Sequence, residues 1–124
     1  LQSKMPNTLF LFQTNVYTRL SPTMEINLYR IIQEALHNVM KYAKATEVRI
    51  SIEQTERELL LSVADNGVGF RVEEKREGLG LKHIQERVFH LGGETTITSA
   101  PMEGTTIFVR VPLEEDGEDE SVNR

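Results

Sequence analysis

The chain has 124 residues, of which 14 are basic and 19 acidic, so its formal charge is −5. This length supports one domain with a single core, and the absence of cysteine excludes disulfide frameworks, thiol nucleophiles and cysteine-based zinc sites. Residues 114–124 hold six acids and one base, so this tail carries the whole net charge and the rest of the chain is neutral. We therefore expect a folded domain over residues 1–113, an acidic disordered tail over residues 114–124, and no nucleic-acid binding.

The first predicted elements are a strand and a long helix. Residues 9–16 are rich in Leu, Phe and Val, which is typical of a strand. Ser21 and Pro22 predict a helix start, because serine caps a helix N-terminus and proline is tolerated in the first turn. We expect this helix to continue to Ala43. Apolar residues at three- and four-residue spacing predict its buried stripe, namely Ile26, Tyr29, Ile32, Leu36, Val39 and Ala43.

Two hairpins and a second helix complete the predicted domain. Strict alternation on either side of a polar turn predicts a hairpin with one buried face, formed by Val48, Ile50 and Ile52 and then by Leu59, Leu61 and Val63. A polar loop over residues 70–77 leads to a helix that ends at Gly92 and Gly93, and two strands follow near residues 95–99 and 105–111. This order predicts an α/β two-layer sandwich, in which helices cover one face of a mixed, mostly antiparallel sheet.

Four polar residues of the long helix lie close to one helical face: Glu34, Asn38, Lys41 and Tyr42. A carboxylate and an amide one turn apart are oxygen ligands suited to Mg²⁺, and a lysine one turn further on is placed to meet phosphate charge. The same spacing also fits a solvated helix face with pairs one turn apart. Spacing alone therefore leaves both interpretations open.

A second candidate segment, Asp65–Phe70, follows a predicted buried strand. Its two glycines, Gly67 and Gly69, allow the backbone to turn and to approach a ligand closely. A carboxylate at a strand end among apolar residues is suited to accept a hydrogen bond from an exocyclic amine such as that of adenine. The alternative is an ordinary Asp-Asn-Gly turn between strands.

A third candidate is Gly78–Leu81, at the start of the second predicted helix. Backbone N–H groups and the positive end of a helix favour phosphate, although a glycine-containing connector explains the same residues. The segment matches neither the dinucleotide-binding fingerprint nor the P-loop. The three histidines are not spaced as a metal cluster, and no serine has the setting of a nucleophile elbow.

In this order, the three segments resemble the catalytic, ATP-binding domain of bacterial sensor histidine kinases, which has the Bergerat (GHKL) fold shared with gyrase. Glu34–Ala43 is similar to the N box of that family, Asp65–Phe70 to its first glycine box and Gly78–Leu81 to its second. Gly104–Thr106 resembles the Gly-Thr element near the end of the domain. Leu28–Leu36 and the close of the last helix are typical of the NarL-partner subfamily, of which the DesK, NarX and LiaS kinases are examples. In that subfamily a histidine is usual at the position of Tyr42.

The resemblance implies a role for each matching residue. On the helix, Asn38 ligates Mg²⁺, Glu34 helps to hold the ion or its water, Lys41 meets phosphate and Tyr42 lies beside the nucleotide. The resemblance also implies that the first glycine box contacts the adenine through Asp65, Gly67 and Gly69. The second glycine box surrounds the phosphates with Gly78, Leu79, Gly80 and Leu81. The Gly-Thr element places Thr105 and Thr106 near the base, and Thr106 reaches it through water.

The family's phosphoacceptor His lies on a separate dimeric helical hairpin, and residues 1–20 carry no such pattern. The resemblance thus implies an excised, monomeric, cytoplasmic domain of a longer, membrane-anchored kinase. This domain would bind ATP and Mg²⁺ without autophosphorylation, would phosphorylate the hairpin of its own full-length protein, and would signal to a response regulator. Two alternatives share the fold, namely a protein-serine kinase of the anti-sigma-factor type and a non-catalytic nucleotide-binding or partner module.

Overall fold

The computed structural model describes residues 7–70 and 81–113. The acidic tail and the predicted phosphate loop at Gly78–Gly80 therefore lie outside the described residues. The elements follow the predicted order: β1 (Leu9–Asn15), α1 (Pro22–Asn38) with a π-helical turn (Val39–Ala43), β2 (Glu47–Gln54), β3 (Glu58–Asp65), α2 (Leu81–His90), β4 (Glu94–Ser99) and β5 (Thr105–Pro112).

The strands form one five-stranded sheet in the order β1-β2-β3-β5-β4. The β1 strand runs parallel to β2, because α1 connects them as a crossover, and the remaining pairs are antiparallel. Val63 in the central strand lies opposite Ile50 on one side and Ile107 on the other, and all three are buried. These side chains share one face of the sheet and pack with α1 and α2 in a single core. The predicted α/β sandwich with a mixed sheet is confirmed.

The long helix begins as predicted, but only the C-terminal part of the predicted stripe faces the core, where Leu36, Val39 and Ala43 are buried. Ser21 caps it by accepting a hydrogen bond from the Met24 N–H at 3.1 Å. The buried residues of α1 are Met24, Leu28, Ile31, Ala35 and Leu36. The prediction was wrong for Ile26 and Tyr29, whose side chains are 48% and 61% exposed. The predicted and the observed residues both have helical spacing, and periodicity does not show which of two apolar faces turns toward the sheet. Only packing against the sheet decides between them.

The predicted helix ends at Ala43, yet its last five residues form a π-helical turn. The helix is then stopped by Lys44, which has a left-handed backbone with φ of 52°. At the end of α2, the Gly93 N–H donates to the Val88 carbonyl at 2.9 Å, and Gly92 has φ of 78°. This is the glycine cap that the sequence predicts. No helix in the described ranges is long and apolar enough to cross a membrane.

Candidate functional site

A cavity of about 160 Å³ opens between the end of α1, the adjoining ends of β3 and β5, and the start of α2. Most of its wall is apolar. Its polar lining comes from Asn38 and Tyr42 on the helix side and from Asp65 and Thr105 on the sheet side. A mostly apolar pocket with a few convergent polar groups is the usual form of a small-molecule site.

Asp65 is the last residue of β3, where the strand delivers its side chain to the cavity. Burial raises the pKa of this carboxyl above its ordinary value, although N–H groups of Gly67 and Thr105 bond to it and act in the opposite direction. The Gly67 N–H donates to Oδ1 at 2.8 Å. Asp65 therefore offers a partly dehydrated acceptor that gains from a hydrogen-bond donor in the cavity.

The loop after Asp65 docks on the π-helical turn. Since Lys44 stops the helix, the Ala43 carbonyl is available and accepts the Val68 N–H at 2.7 Å. A Cβ at Gly67 would lie 2.1 Å from that same carbonyl oxygen. Any side chain at position 67 would therefore push the loop away from the helix.

The other side of the loop locks onto the turn between β4 and β5. Gly69 has φ of 63°, and a Cβ there would lie 2.0 Å from the Ala100 carbonyl oxygen. A Cβ at Gly104 would lie 2.1 Å from the Asp65 carbonyl oxygen. The Met102 N–H in the same turn donates to the Val68 carbonyl. Three chain segments thus meet through backbone atoms, and this contact holds Asp65 in place.

The helix side of the cavity is built differently. Nδ2 of Asn38 is buried and has no hydrogen-bond partner within residues 7–70 and 81–113. Tyr42 is 44% exposed, and Nζ of the exposed Lys41 lies 6.0 Å from the centre of its ring. A buried amide without a partner costs about 1–3 kcal/mol, so this edge of the cavity is suited to a polar ligand.

Ten of the thirteen predicted site residues fall within the described ranges, and six of these ten line the cavity. The lining includes Asn38, Tyr42, Asp65, Gly69, Leu81 and Thr105. Gly67 is buried behind the wall, while Glu34 and Lys41 lie outside the lining residues. Thr106 points to the opposite face of the sheet, since its neighbour Thr105 points into the cavity. The expected water-mediated contact of Thr106 with the base does not fit this position.

Sequence reasoning missed the residues that hold the loop. Oδ1 of Asn66 accepts the N–H groups of Thr46 and Glu47, each at 3.0 Å, and its Nδ2 donates to the Thr46 hydroxyl at 2.9 Å. These bonds join the loop to the start of β2. The only sequence signal was an asparagine in a turn, where such side chains commonly bond to nearby backbone.

The comparison with protein families identifies the class. A model of the histidine kinase-, DNA gyrase B-, and HSP90-like ATPases matches residues 23–115, and the chain belongs to this family. The match spans every segment on which the sequence prediction rested, and it confirms the family prediction.

Curated relatives narrow the class to sensor kinases. The signal transduction histidine-protein kinase/phosphatase DegS of Brevibacillus brevis is 43% identical over 91 residues, which are 73% of this chain and 24% of DegS. The sensor histidine kinase LiaS of Bacillus subtilis is 40% identical over 106 residues, which are 83% of this chain and 29% of LiaS. The chain thus spans about a quarter of the length of these relatives. LiaS is one of the kinases named for the predicted subfamily, and this placement is confirmed.

Solved structures with the same fold are also histidine kinases. The Acinetobacter baumannii kinase AdeS superposes with a TM-score of 0.73 at 15% identity, covering 92% of this chain and 59% of that one. The catalytic domain of the kinase ThkA has a TM-score of 0.72 at 19% identity, covering 90% and 82%. At such identities the likeness shows the fold alone, and it agrees with the sandwich described above.

Proposed function

We propose that this chain is the catalytic domain of a sensor histidine kinase and that its cavity binds ATP with Mg²⁺. The observation that carries the proposal is the meeting of Asp65, Thr105 and Asn38 in one mostly apolar cavity. Family membership supports the nucleotide, and relatives named as histidine kinases support the reaction.

The base lies at the sheet side in this proposal. The Asp65 carboxylate accepts a hydrogen bond from the amino group of adenine, and the apolar wall covers the ring. Thr105, rather than Thr106, supplies the neighbouring hydroxyl, because Thr105 lines the cavity. Tyr42 covers the open side, since its ring is half-exposed at the cavity edge.

The phosphates lie toward the helix side in this proposal, where Asn38 is suited to be a ligand of Mg²⁺. The described residues contain no group of three His, Cys, Asp or Glu side chains able to hold a metal. A site with few protein ligands suits Mg²⁺, which keeps water and phosphate oxygens around it. Asn38 lines the cavity, and its amide oxygen, rather than the buried Nδ2, is the atom that would ligate the ion. Glu34 stands one helical turn earlier. Bound Mg²⁺ neutralises charge on the phosphates.

The reaction is a transfer of the γ-phosphoryl group. The bond between the γ-phosphorus and the bridging oxygen breaks, a bond from phosphorus to the unprotonated imidazole nitrogen forms, ADP leaves with the bridging oxygen, and the remaining N–H proton of the imidazole passes to water. The acceptor His belongs to a helical hairpin of the full-length protein, and a response regulator receives the phosphoryl group next. We place the domain in the cytoplasm as part of a membrane-anchored kinase. Lys41 and Gly78–Leu81 are proposed to contact phosphate.

Calorimetry with the isolated chain tests nucleotide binding. We expect saturable one-site binding of ATP in the presence of Mg²⁺, and weaker binding when EDTA removes the metal. Adenosine should bind more weakly than ATP but detectably, because it keeps the base and loses the phosphates. No binding of ATP with Mg²⁺ at millimolar concentration would contradict the proposal.

A transfer assay separates the kinase types. A helical hairpin carrying a phosphoacceptor His is added as a separate protein, together with ATP labelled on the γ-phosphate. Acid-labile label on the hairpin supports histidine phosphorylation. Acid-stable label on a serine of an added anti-sigma-factor antagonist would instead favour the protein-serine kinase alternative.

A further inference from the structure

Ser99 lies in a row of three polar residues at one end of the sheet. It is the last residue of β4 and pairs with Thr105 in β5, which in turn pairs with Asp65 in β3. Asp65 and Thr105 line the cavity, whereas Ser99 stands directly behind Thr105. Ser99 is thus one strand removed from the proposed base contact.

The Ser99 hydroxyl makes three hydrogen bonds. Its oxygen accepts the Phe70 N–H at 2.9 Å and lies 2.7 Å from the Thr105 hydroxyl oxygen. The same hydroxyl donates to the Gly104 carbonyl at 3.1 Å. It therefore ties the end of the Asp65–Phe70 loop to the turn that precedes β5.

Proton counting sets the direction of the Thr105 hydroxyl. A serine hydroxyl has one proton, and a carbonyl can only accept, so the bond to Gly104 uses that proton. The short contact between the Ser99 and Thr105 oxygens then requires the proton of Thr105. With its proton directed at Ser99, the Thr105 oxygen presents only lone pairs to the cavity.

The polar edge of the cavity at this point is consequently made of acceptors. Asp65 accepts N–H groups from Gly67 and Thr105 and has acceptor capacity left. Two adjacent acceptors suit a ligand edge with an amino group, which has two protons to donate. They disfavour a carbonyl oxygen at the same place, because acceptors would face each other.

We propose that Ser99 is a positioning residue for base recognition, which fixes Thr105 as a hydrogen-bond acceptor and thereby makes the cavity prefer 6-amino over 6-oxo purine nucleotides. This inference rests on the proposed function, since it takes the purine as the ligand of the sheet side. Ser99 does not touch the nucleotide in this inference. It acts through Thr105 and adds to the base selectivity that the Asp65 carboxylate provides.

The test compares ATP with inosine triphosphate (ITP), which has a 6-oxo group in place of the 6-amino group. Binding of both, with Mg²⁺, is measured for the wild type, Ser99→Ala and Ser99→Thr. Ser99→Ala frees the Thr105 proton to turn toward the cavity, so the preference for ATP should fall about fivefold, as expected for one hydrogen bond. Ser99→Thr keeps the hydroxyl and should retain most of the preference.

Thr98→Ala is the matched control, because Thr98 is the exposed neighbour on the same strand. It should leave the ratio of the two affinities at the wild-type value. If Ser99→Ala does not fold, Thr105→Val serves instead, since it keeps the shape and removes the acceptor, and it should narrow the ratio as well.

Two results overturn the inference. In the first, Ser99→Ala or Thr105→Val lowers the affinities for ATP and ITP equally, so that their ratio stays constant. The substituted residue would then be a structural support only. In the second, the ratio stays constant with both affinities unchanged. A wild-type domain that binds neither nucleotide would contradict the proposed function itself, and this result is distinguishable because it appears before any substitution is made.

Discussion

The two sides of the cavity are held together in opposite ways. On the sheet side, glycines at 67, 69 and 104 let backbone segments meet at distances that exclude any side chain, and the Asp65 carboxylate already has backbone partners. On the helix side, Nδ2 of Asn38 is buried and bonds to none of the described residues. The backbone of the sheet side is therefore held in place without a ligand, and Asp65 keeps acceptor capacity for one, whereas the buried nitrogen of Asn38 on the helix side has no described partner.

This difference separates stability from binding. Substitutions of the close-packed glycines on the sheet side should destabilise the domain, because they break backbone contacts that exist in its free form. Substitutions on the helix side should leave the free domain intact or stabilise it, while they weaken nucleotide binding. The predictions below probe this contrast, beginning with the largest effect.

The largest expected effect is that of Gly67→Ala on folding. A methyl group would lie 2.1 Å from the Ala43 carbonyl oxygen, so the loop must leave the helix or the helix must shift. We expect the free energy of unfolding to fall by about 3 kcal/mol. Chemical denaturation followed by circular dichroism measures it.

Gly92→Ala is the matched control for this substitution. Gly92 has a positive φ, yet among residues 7–70 and 81–113 a Cβ there meets only Pro112, at 3.6 Å. Its cost should be about 1 kcal/mol, from backbone strain alone. If Gly67→Ala and Gly92→Ala lowered the free energy of unfolding equally, the loop would not be in tight contact with the π-helical turn.

The next effect concerns binding at Asp65. Asp65→Asn exchanges an acceptor for a group that is half donor, so ATP affinity should fall about tenfold to a hundredfold. Calorimetry measures the loss. Glu53→Gln makes the same acid-to-amide change on the exposed part of β2 and should not alter the affinity. If the Asp65→Asn domain bound ATP with wild-type affinity, the carboxylate would not contribute to nucleotide binding.

A smaller effect, of opposite sign, is expected at Asn38. Asn38→Leu removes a buried polar group without a described partner, so the free domain should gain about 1 kcal/mol of stability. The same variant should lose the increase in ATP affinity that Mg²⁺ provides. Thermal denaturation and calorimetry with and without EDTA measure the two effects.

Asn27→Leu is the control for Asn38→Leu, because it separates the effect of burial on stability from the effect of helix propensity. Asn27 is on the same helix, but its amide donates to the Thr23 carbonyl at 2.8 Å. Both variants gain the propensity of leucine, so only Asn38→Leu should show the additional gain from burial. If Asn38→Leu destabilised the domain more than Asn27→Leu, the helix side would not differ from the sheet side as described.

The smallest effect is the pH dependence contributed by Asp65. Burial raises its pKa in the folded domain, so the folded state holds this proton more tightly than the unfolded state. Its contribution to stability is therefore full at low pH, and it declines as pH rises from about 4 through the raised pKa. The stability of the wild type relative to Asp65→Asn should fall over this interval. A relative stability that rose with pH would contradict a raised pKa.

Much of the fold follows from local patterns in the sequence. Alternation at Val48, Ile50 and Ile52 predicts β2, and Ser21 and Gly92 mark helix ends, since each signal depends on neighbours in the chain. The buried stripe in the first part of α1 could not be derived in this way. Two apolar stripes compete on that helix, and the choice of Leu28 over Tyr29 depends on the sheet that packs against it.

The site could be predicted as a set of residues but not as an arrangement. Asn38 and Asp65 follow from their position in recognisable segments. The roles of Thr105 and Thr106 differ only by strand parity, which requires the register of β5. The contact of Ser99 with Phe70 joins residues 29 positions apart, and the Val68 N–H joins the loop to the π-helical turn through the Ala43 carbonyl. Such long-range contacts leave no local signal.

The most direct test of the central contrast is amide hydrogen exchange of the domain with and without ATP and Mg²⁺. The amides of Val68, Phe70 and Met102 lie outside helices and strands but are hydrogen-bonded, so they should be protected in the free domain and change little on binding. Amides of the π-helical turn after Asn38 should gain protection when the nucleotide binds. Exchange of Val68 and Phe70 at the rate of an open loop in the free domain, with protection appearing only after nucleotide is added, would contradict a preformed sheet side.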